Sequence, residues 1–127
     1  MNKHLYELFD RAKEASQSAY SPYSGYKVGA ALLTETGEVF MGCNVENASF
    51  SLTICAERVA ITKAISSGFR EFKALAVYVD SEKMFPPCGA CRQVIIEFTK
   101  DIDIIYGNDS KTFITKINKL LPDSFSL

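Results

Sequence analysis

With 127 residues, 47% of them hydrophobic, the chain has the length of one domain, residues 1–127, and enough apolar side chains for one core. Fourteen basic against fifteen acidic side chains leave a formal charge of -1, too little to hold a phosphate backbone, so long nucleic acid is not expected as a partner. There is no run of about 18 apolar residues to span a bilayer and no basic leader with a small-residue cleavage site; four cysteines in that setting imply a reduced, cytoplasmic protein with no membrane partner rather than a disulfide framework.

Leu5, Leu8, Phe9, Ala12, Ala15 and Ala19 recur at helical spacing opposite Glu7, Asp10, Arg11, Lys13 and Glu14, which predicts a first helix of about four turns, ended by Ser21-Pro22-Tyr23-Ser24-Gly25. Residues 27–34 are small and β-prone, Thr36-Gly37 reads as a turn, and 38–44 as the returning strand of a hairpin. Residues 47–53 are polar and irregular. A second helix is expected over 55–67, stopped by Gly68, and a buried strand over 72–79. Past Pro86-Pro87 come a helix from about 88 to 98, a strand over 101–107, a short strand over 112–115, and a helical turn or two through Ile117, Leu120 and Leu121 that Pro122 stops. Strands alternating with helices in this order predict an α/β fold of three layers, α-β-α, with a mixed central sheet of roughly five strands.

The chemistry is concentrated in Cys55-Ala56-Glu57-Arg58 and Pro87-Cys88-Gly89-Ala90-Cys91-Arg92-Gln93. Cys88 and Cys91 are three apart at a predicted helix start, so both thiols can point the same way, and the helix N-terminus and a metal ion both favour thiolate. Cys55 opens the other helix and becomes a third ligand if the two N-termini converge. A Cys-x-x-Cys pair alone also serves structural zinc knuckles and redox dithiols. A structural site wants a fourth protein ligand, and the candidates are poor: Cys43 sits in a strand pattern as a small buried hydrophobe, and His4 reads as a surface imidazole. Glu57, two residues from Cys55, does not share its face of the helix and is free to move protons at a fourth position left for water. Three thiolates and one dication carry a net charge of -1, which Arg58 or Arg92 can offset by donating to sulfur, Arg58 being preferred. Asn44 and Glu46 alternate at a strand end and share a face; from spacing they read equally as a ligand grip and as a polar rim.

Together these segments, with Tyr23-Ser24, Val28-Gly29-Ala30-Ala31-Leu32, Gly42-Cys43-Asn44-Val45-Glu46-Asn47-Ala48-Ser49 and Leu120-Leu121-Pro122, make the chain resemble the small, homotetrameric cytidine deaminases of nucleoside salvage over nearly its whole length. The resemblance implies one Zn2+ per subunit on Cys55, Cys88 and Cys91, with Glu57 as acid and base. It implies that Asn44 and Glu46 hold the ribose hydroxyls, that Tyr26 flanks the nucleoside, and that Phe125 is lent over the base by a neighbouring subunit. Three positions depart from the family's usual residues: Tyr26 for phenylalanine, Phe50 for tyrosine and Pro86 for serine. None removes a named chemical group.

The implied reaction is hydrolysis of cytidine and 2'-deoxycytidine to the uracil nucleosides and ammonia. Glu57 would carry protons from zinc-bound water to ring N3 and to the leaving amine. The free amide of Ala56, at a helix start, is suited to the base carbonyl O2, and a carbonyl near Pro86 or Pro87 to the exocyclic amine.

Overall fold

The computed structural model describes residues 2–127. Five strands, β1 (Lys27–Thr34), β2 (Val39–Cys43), β3 (Phe72–Asp80), β4 (Asp103–Gly107) and β5 (Thr112–Lys116), form one sheet in the order β2-β1-β3-β4-β5. Only β3 and β4 run parallel; the other pairs are antiparallel, so the sheet is mixed. Helix α1 (Lys3–Ser16) lies on one face, and α2 (Ala56–Ser66), α3 (Gly89–Phe98) and the short α4 (Ile117–Leu120) lie on the other, which makes three layers.

The period of two along each strand sorts side chains into two cores. Ala31, Ala74, Ala76, Tyr78 and Ile105 meet Leu5, Leu8, Phe9 and Ala12 of α1. Their neighbours Ala30, Leu32, Leu75, Val77 and Ile104 face Ala56, Ala60, Ile61 and Ala64 of α2 and Ile95 and Ile96 of α3. Burying each of the larger side chains is worth about 1.5–3 kcal/mol.

Element limits agree with the pattern to within a residue or two, and two departures have local causes. Helix α1 stops at Ser16, short of Ala19: the Ser16 hydroxyl donates back to the Lys13 carbonyl at 2.6 Å, and the next amides make tight three-residue bonds. Tyr20 is then drawn away to bond the Asn44 carbonyl and pair in parallel with Val45. Within the segment read as irregular, Phe50–Leu52 forms one 3-10 turn. Cys43 is half-buried rather than fully enclosed, and His4 is exposed.

The second helix sits unusually close to the hairpin. A Cβ on Gly42 of β2 would lie 2.6 Å from both the Ala56 carbonyl oxygen and the Ala60 amide nitrogen. Only glycine permits this approach, and it fixes the end of α2 that begins at Cys55. Gly42→Ala is therefore expected to displace α2 and destabilise the protein by about 1–3 kcal/mol, read as a fall in melting temperature. Gly89→Ala, where a Cβ meets open space, should leave the melting temperature unchanged.

Candidate metal centre and active-site cavity

Cys55 and Cys88 are the N-cap residues of α2 and α3, both with extended backbone, so each side chain projects beyond its helix end. Cys91 sits one turn into α3, fully buried, and its amide donates to Cys88 Sγ at 3.4 Å. The two N-termini converge. The three sulfurs lie within 4.8 Å of one another, with Cys55 and Cys88 Sγ 3.9 Å apart.

That spacing is far beyond a disulfide's bond of about 2.05 Å. It matches the sulfur separation of about 3.8 Å that follows from zinc–sulfur bonds of about 2.3 Å at tetrahedral angles. The Cys55 thiol is lowered to about 5, foremost by its interaction with Cys91 and then by Arg58 and Cys88, against the effect of burial. The Cys91 thiol is pushed up, first by Cys55, then by burial and the nearby Glu57 charge. A dication would take the place of the thiol protons, so the donor set fits one Zn2+.

Arg58 closes the centre from behind. Its Nη2 donates to Cys55 Sγ at 3.8 Å and to the Thr53 carbonyl at 2.9 Å, while its buried Nε has no partner among the described residues. A half-buried guanidinium with an unused, buried Nε–H suits a cluster of net negative charge. Arg92 is placed differently: Nε donates to the Pro87 carbonyl and Nη1 to the Leu120 carbonyl, both at 2.7 Å, so it ties the start of α3 to α4 and has no recorded bond to sulfur.

Glu57, in the first turn of α2 and 4% exposed, borders the cavity in front of the sulfurs. Burial pushes its carboxyl up to about 7, helped by the Cys55 charge and opposed by its own backbone amide, Cys91 and Arg58. The cavity, about 230 Å3, is lined by Cys55, Ala56, Glu57 and Cys88, by Val28, Val77 and Val79, and by Ser24, Tyr26 and Asn44. Thr53, Phe85 and Pro86 complete it. Thr53 and Phe85 belong to no motif; their adjacency to the two cysteine segments was the only signal.

Of the two residues expected to grip a sugar, Asn44 borders the cavity with its amide partly engaged: Oδ1 accepts from the Val28 amide at 3.0 Å and Nδ2 donates to the Tyr26 carbonyl at 2.8 Å. Glu46 is buried behind the rim. It accepts from the amides of Tyr23 (2.9 Å) and Ser24 (3.1 Å) and from the Ser24 hydroxyl, which together hold its carboxyl below the usual range, the hydroxyl foremost. Its first evident task is to hold the loop that carries Tyr26. Phe125 is 68% exposed on the tail and does not border this chain's own cavity.

Comparison with known proteins agrees with this geometry. A family model described as the cytidine and deoxycytidylate deaminase zinc-binding region matches residues 2–108. A cytidine deaminase of Sporosarcina psychrophila is 51% identical over 122 residues, covering 94% of this chain and 90% of that one. A crystal structure of cytidine deaminase from Burkholderia pseudomallei superposes with a TM-score of 0.91 at 46% identity, covering 98% of this chain and 100% of that one. The blasticidin-S deaminase of Bacillus cereus is 32% identical, covering 91% of this chain and 88% of that one.

Two outcomes follow. Cys91→Ser should lower bound zinc from one ion per chain to well below one, measured by atomic absorption, and lower the melting temperature with it. The Glu46 carboxyl should titrate below its ordinary 4.5 in the folded protein. Its stabilising contribution is then present above 4.5 and lost as pH falls through the folded value. Ser24→Ala should move that value upward, readable by carbon NMR of the carboxyl.

Proposed function

This chain belongs to the cytidine and deoxycytidylate deaminase family and is a zinc-dependent hydrolytic deaminase, and from that premise we propose that it converts cytidine and 2'-deoxycytidine to uridine and 2'-deoxyuridine with release of ammonia. The observation that carries this reading is a buried carboxylate, Glu57, that borders the cavity beside three converged sulfurs.

Cys55, Cys88 and Cys91 would hold Zn2+, which would supply a Lewis acid that lowers the pKa of water from about 15.7 toward about 7. The chain's own groups do the rest. Glu57 takes the proton of the attacking water and gives it to N3, so that a C4–O bond can form. It then carries the proton of the new C4 hydroxyl to the exocyclic nitrogen, the C4–N bond breaks as the C4=O bond forms, and ammonia leaves. The Ala56 amide, at the first position of α2 with no carbonyl behind it, donates to O2. Pro87 already accepts from Arg92, so the carbonyl left for the substrate amine is that of Pro86, which borders the cavity.

Asn44 keeps one N–H and one lone pair, and Glu46 about one acceptor position, for the sugar hydroxyls, while Tyr26 offers an aromatic wall. Residues 1–127 act as one catalytic domain. Tyr23, Val45, Phe50, Leu52 and Ile54 are exposed around the cavity's rim segments, and Phe125 is unburied; a homotetramer in which a neighbour covers this face and receives Phe125 accounts for both. The cytoplasm suits three ligand thiols that must remain reduced. A near-neutral chain does not attract long nucleic acid, and no helix is long and apolar enough to cross a membrane.

The zinc-loaded protein should deplete the aminopyrimidine absorbance of cytidine and release one ammonia per nucleoside. No turnover of either nucleoside by zinc-replete protein would overturn the reading. Glu57→Gln keeps the shape and the three ligands; it should retain stoichiometric zinc yet lose at least about 10²–10⁴ in kcat, with light scattering reporting the same assembly.

A further inference from the structure

Phe85 is the one large aromatic residue that the segment leading into the Pro-Pro-Cys motif places on the cavity. Its ring meets Tyr26 edge-on, with centroids 5.2 Å apart and planes at 77°, so that two separate loops touch at the cavity. One is the 20–26 segment held by Glu46, the other the β3-to-α3 connection.

The second loop is braced at both ends. Asn108, buried just beyond β4, donates from Nδ2 to the carbonyls of Ser81 (2.9 Å) and Glu82 (3.2 Å), while its Oδ1 accepts from the amides of Ser110 and Lys111. At the other end Arg92 grips the Pro87 carbonyl. Between them, the prolines at 86 and 87 keep Phe85 and Pro86 extended. The Phe85 ring, 40% exposed, is carried between these two braced points and packs on Tyr26.

The chemistry of the ring decides what this wall faces. In a cytosine, N3 and C5 flank C4 on opposite sides. With C4 at the sulfur end, N3 turned to Glu57 and O2 to the Ala56 amide, the N3–O2 edge is taken up by α2. The C5–C6 edge is left to lining residues outside α2, among them Phe85 and Pro86 of the β3-to-α3 connection. We propose that Phe85 is a specificity-determining residue, its ring held against Tyr26 as the wall that meets the C5–C6 edge of the pyrimidine and restricts substituents at C5. This rests on the nucleoside-deaminase reading above and adds to it the limit on ring substitution.

The test compares zinc-loaded wild type, Phe85→Ala and Phe85→Leu, all checked for zinc content and melting temperature. Substrates are cytidine and 5-methylcytidine; calorimetry measures binding of the products uridine and 5-methyluridine, which needs no turnover. Phe85→Ala should raise kcat/KM for 5-methylcytidine relative to cytidine by about tenfold or more, the gain residing in KM. Binding of 5-methyluridine relative to uridine should improve by a similar factor, with Phe85→Leu in between. Unchanged ratios in Phe85→Ala, in catalysis and in product binding, would overturn the proposal while leaving the deaminase reading standing. If wild type turned over neither substrate, that reading would fall and take this one with it.

Discussion

Two helix ends aimed at one point would repel each other, because each carries a partial positive charge and unpaired amides. What allows α2 and α3 to converge is the sulfur between them. Cys55 and Cys88 occupy the N-cap positions that usually go to serine, threonine or aspartate, and Cys88 does accept an amide of its own helix, that of Cys91. The Cys88 sulfur therefore caps its helix while standing within 4.8 Å of the other two sulfurs. A dication bound to them brings the trio to a net charge of -1, and the two helix ends together with Arg58 offset it. Charge, capping and coordination are thus one arrangement.

The sheet makes this meeting possible by packing closely rather than by bulk. The face of α2 turned to the strands is alanine at 56, 60 and 64, and Gly42 opposite removes the last obstacle to backbone contact. Helix α3 enters by the parallel β3–β4 connection, which carries the chain across the same face and starts the helix beside the end of β3. Cys55 follows from the hairpin side and Cys88 from the β3 side. A ligand trio drawn from both therefore depends on the register of three strands.

The layers, the five strands and the cysteine–glutamate set were legible because each has a period or a fixed spacing: two for strands, 3.6 for helices, three for Cys88 and Cys91. What depends on long-range partners was not. Ala19 fits the helical stripe, yet Tyr20 is claimed by Asn44 and Val45, residues distant in sequence. Glu46 shares a face with Asn44 as the alternation implies, but its carboxylate is largely taken up by Tyr23 and Ser24. The two arginines look alike beside their cysteines; one reaches sulfur, and the other, one turn from Pro87, is captured by backbone carbonyls. Phe85 and Thr53 border the cavity with nothing in their local pattern to announce it.

Helix geometry also separates the two kinds of acid at this centre. Residues two apart on a helix differ by about 200° around the axis, so a glutamate two after a ligand cysteine cannot lie beside it on the same ion. Cys55, as a cap, leaves the helical path toward the sulfurs, while Glu57 stays on it and faces the cavity. A carboxylate at 56 would be buried against the sheet, and one at 58 would displace the guanidinium that reaches Cys55. The order Cys-Ala-Glu-Arg therefore places a sulfur at the helix cap, the first helical amide, a carboxyl on the cavity and a guanidinium on the sulfur within a single turn. Each group falls where the helix points that residue, and a shift of one position would exchange them all.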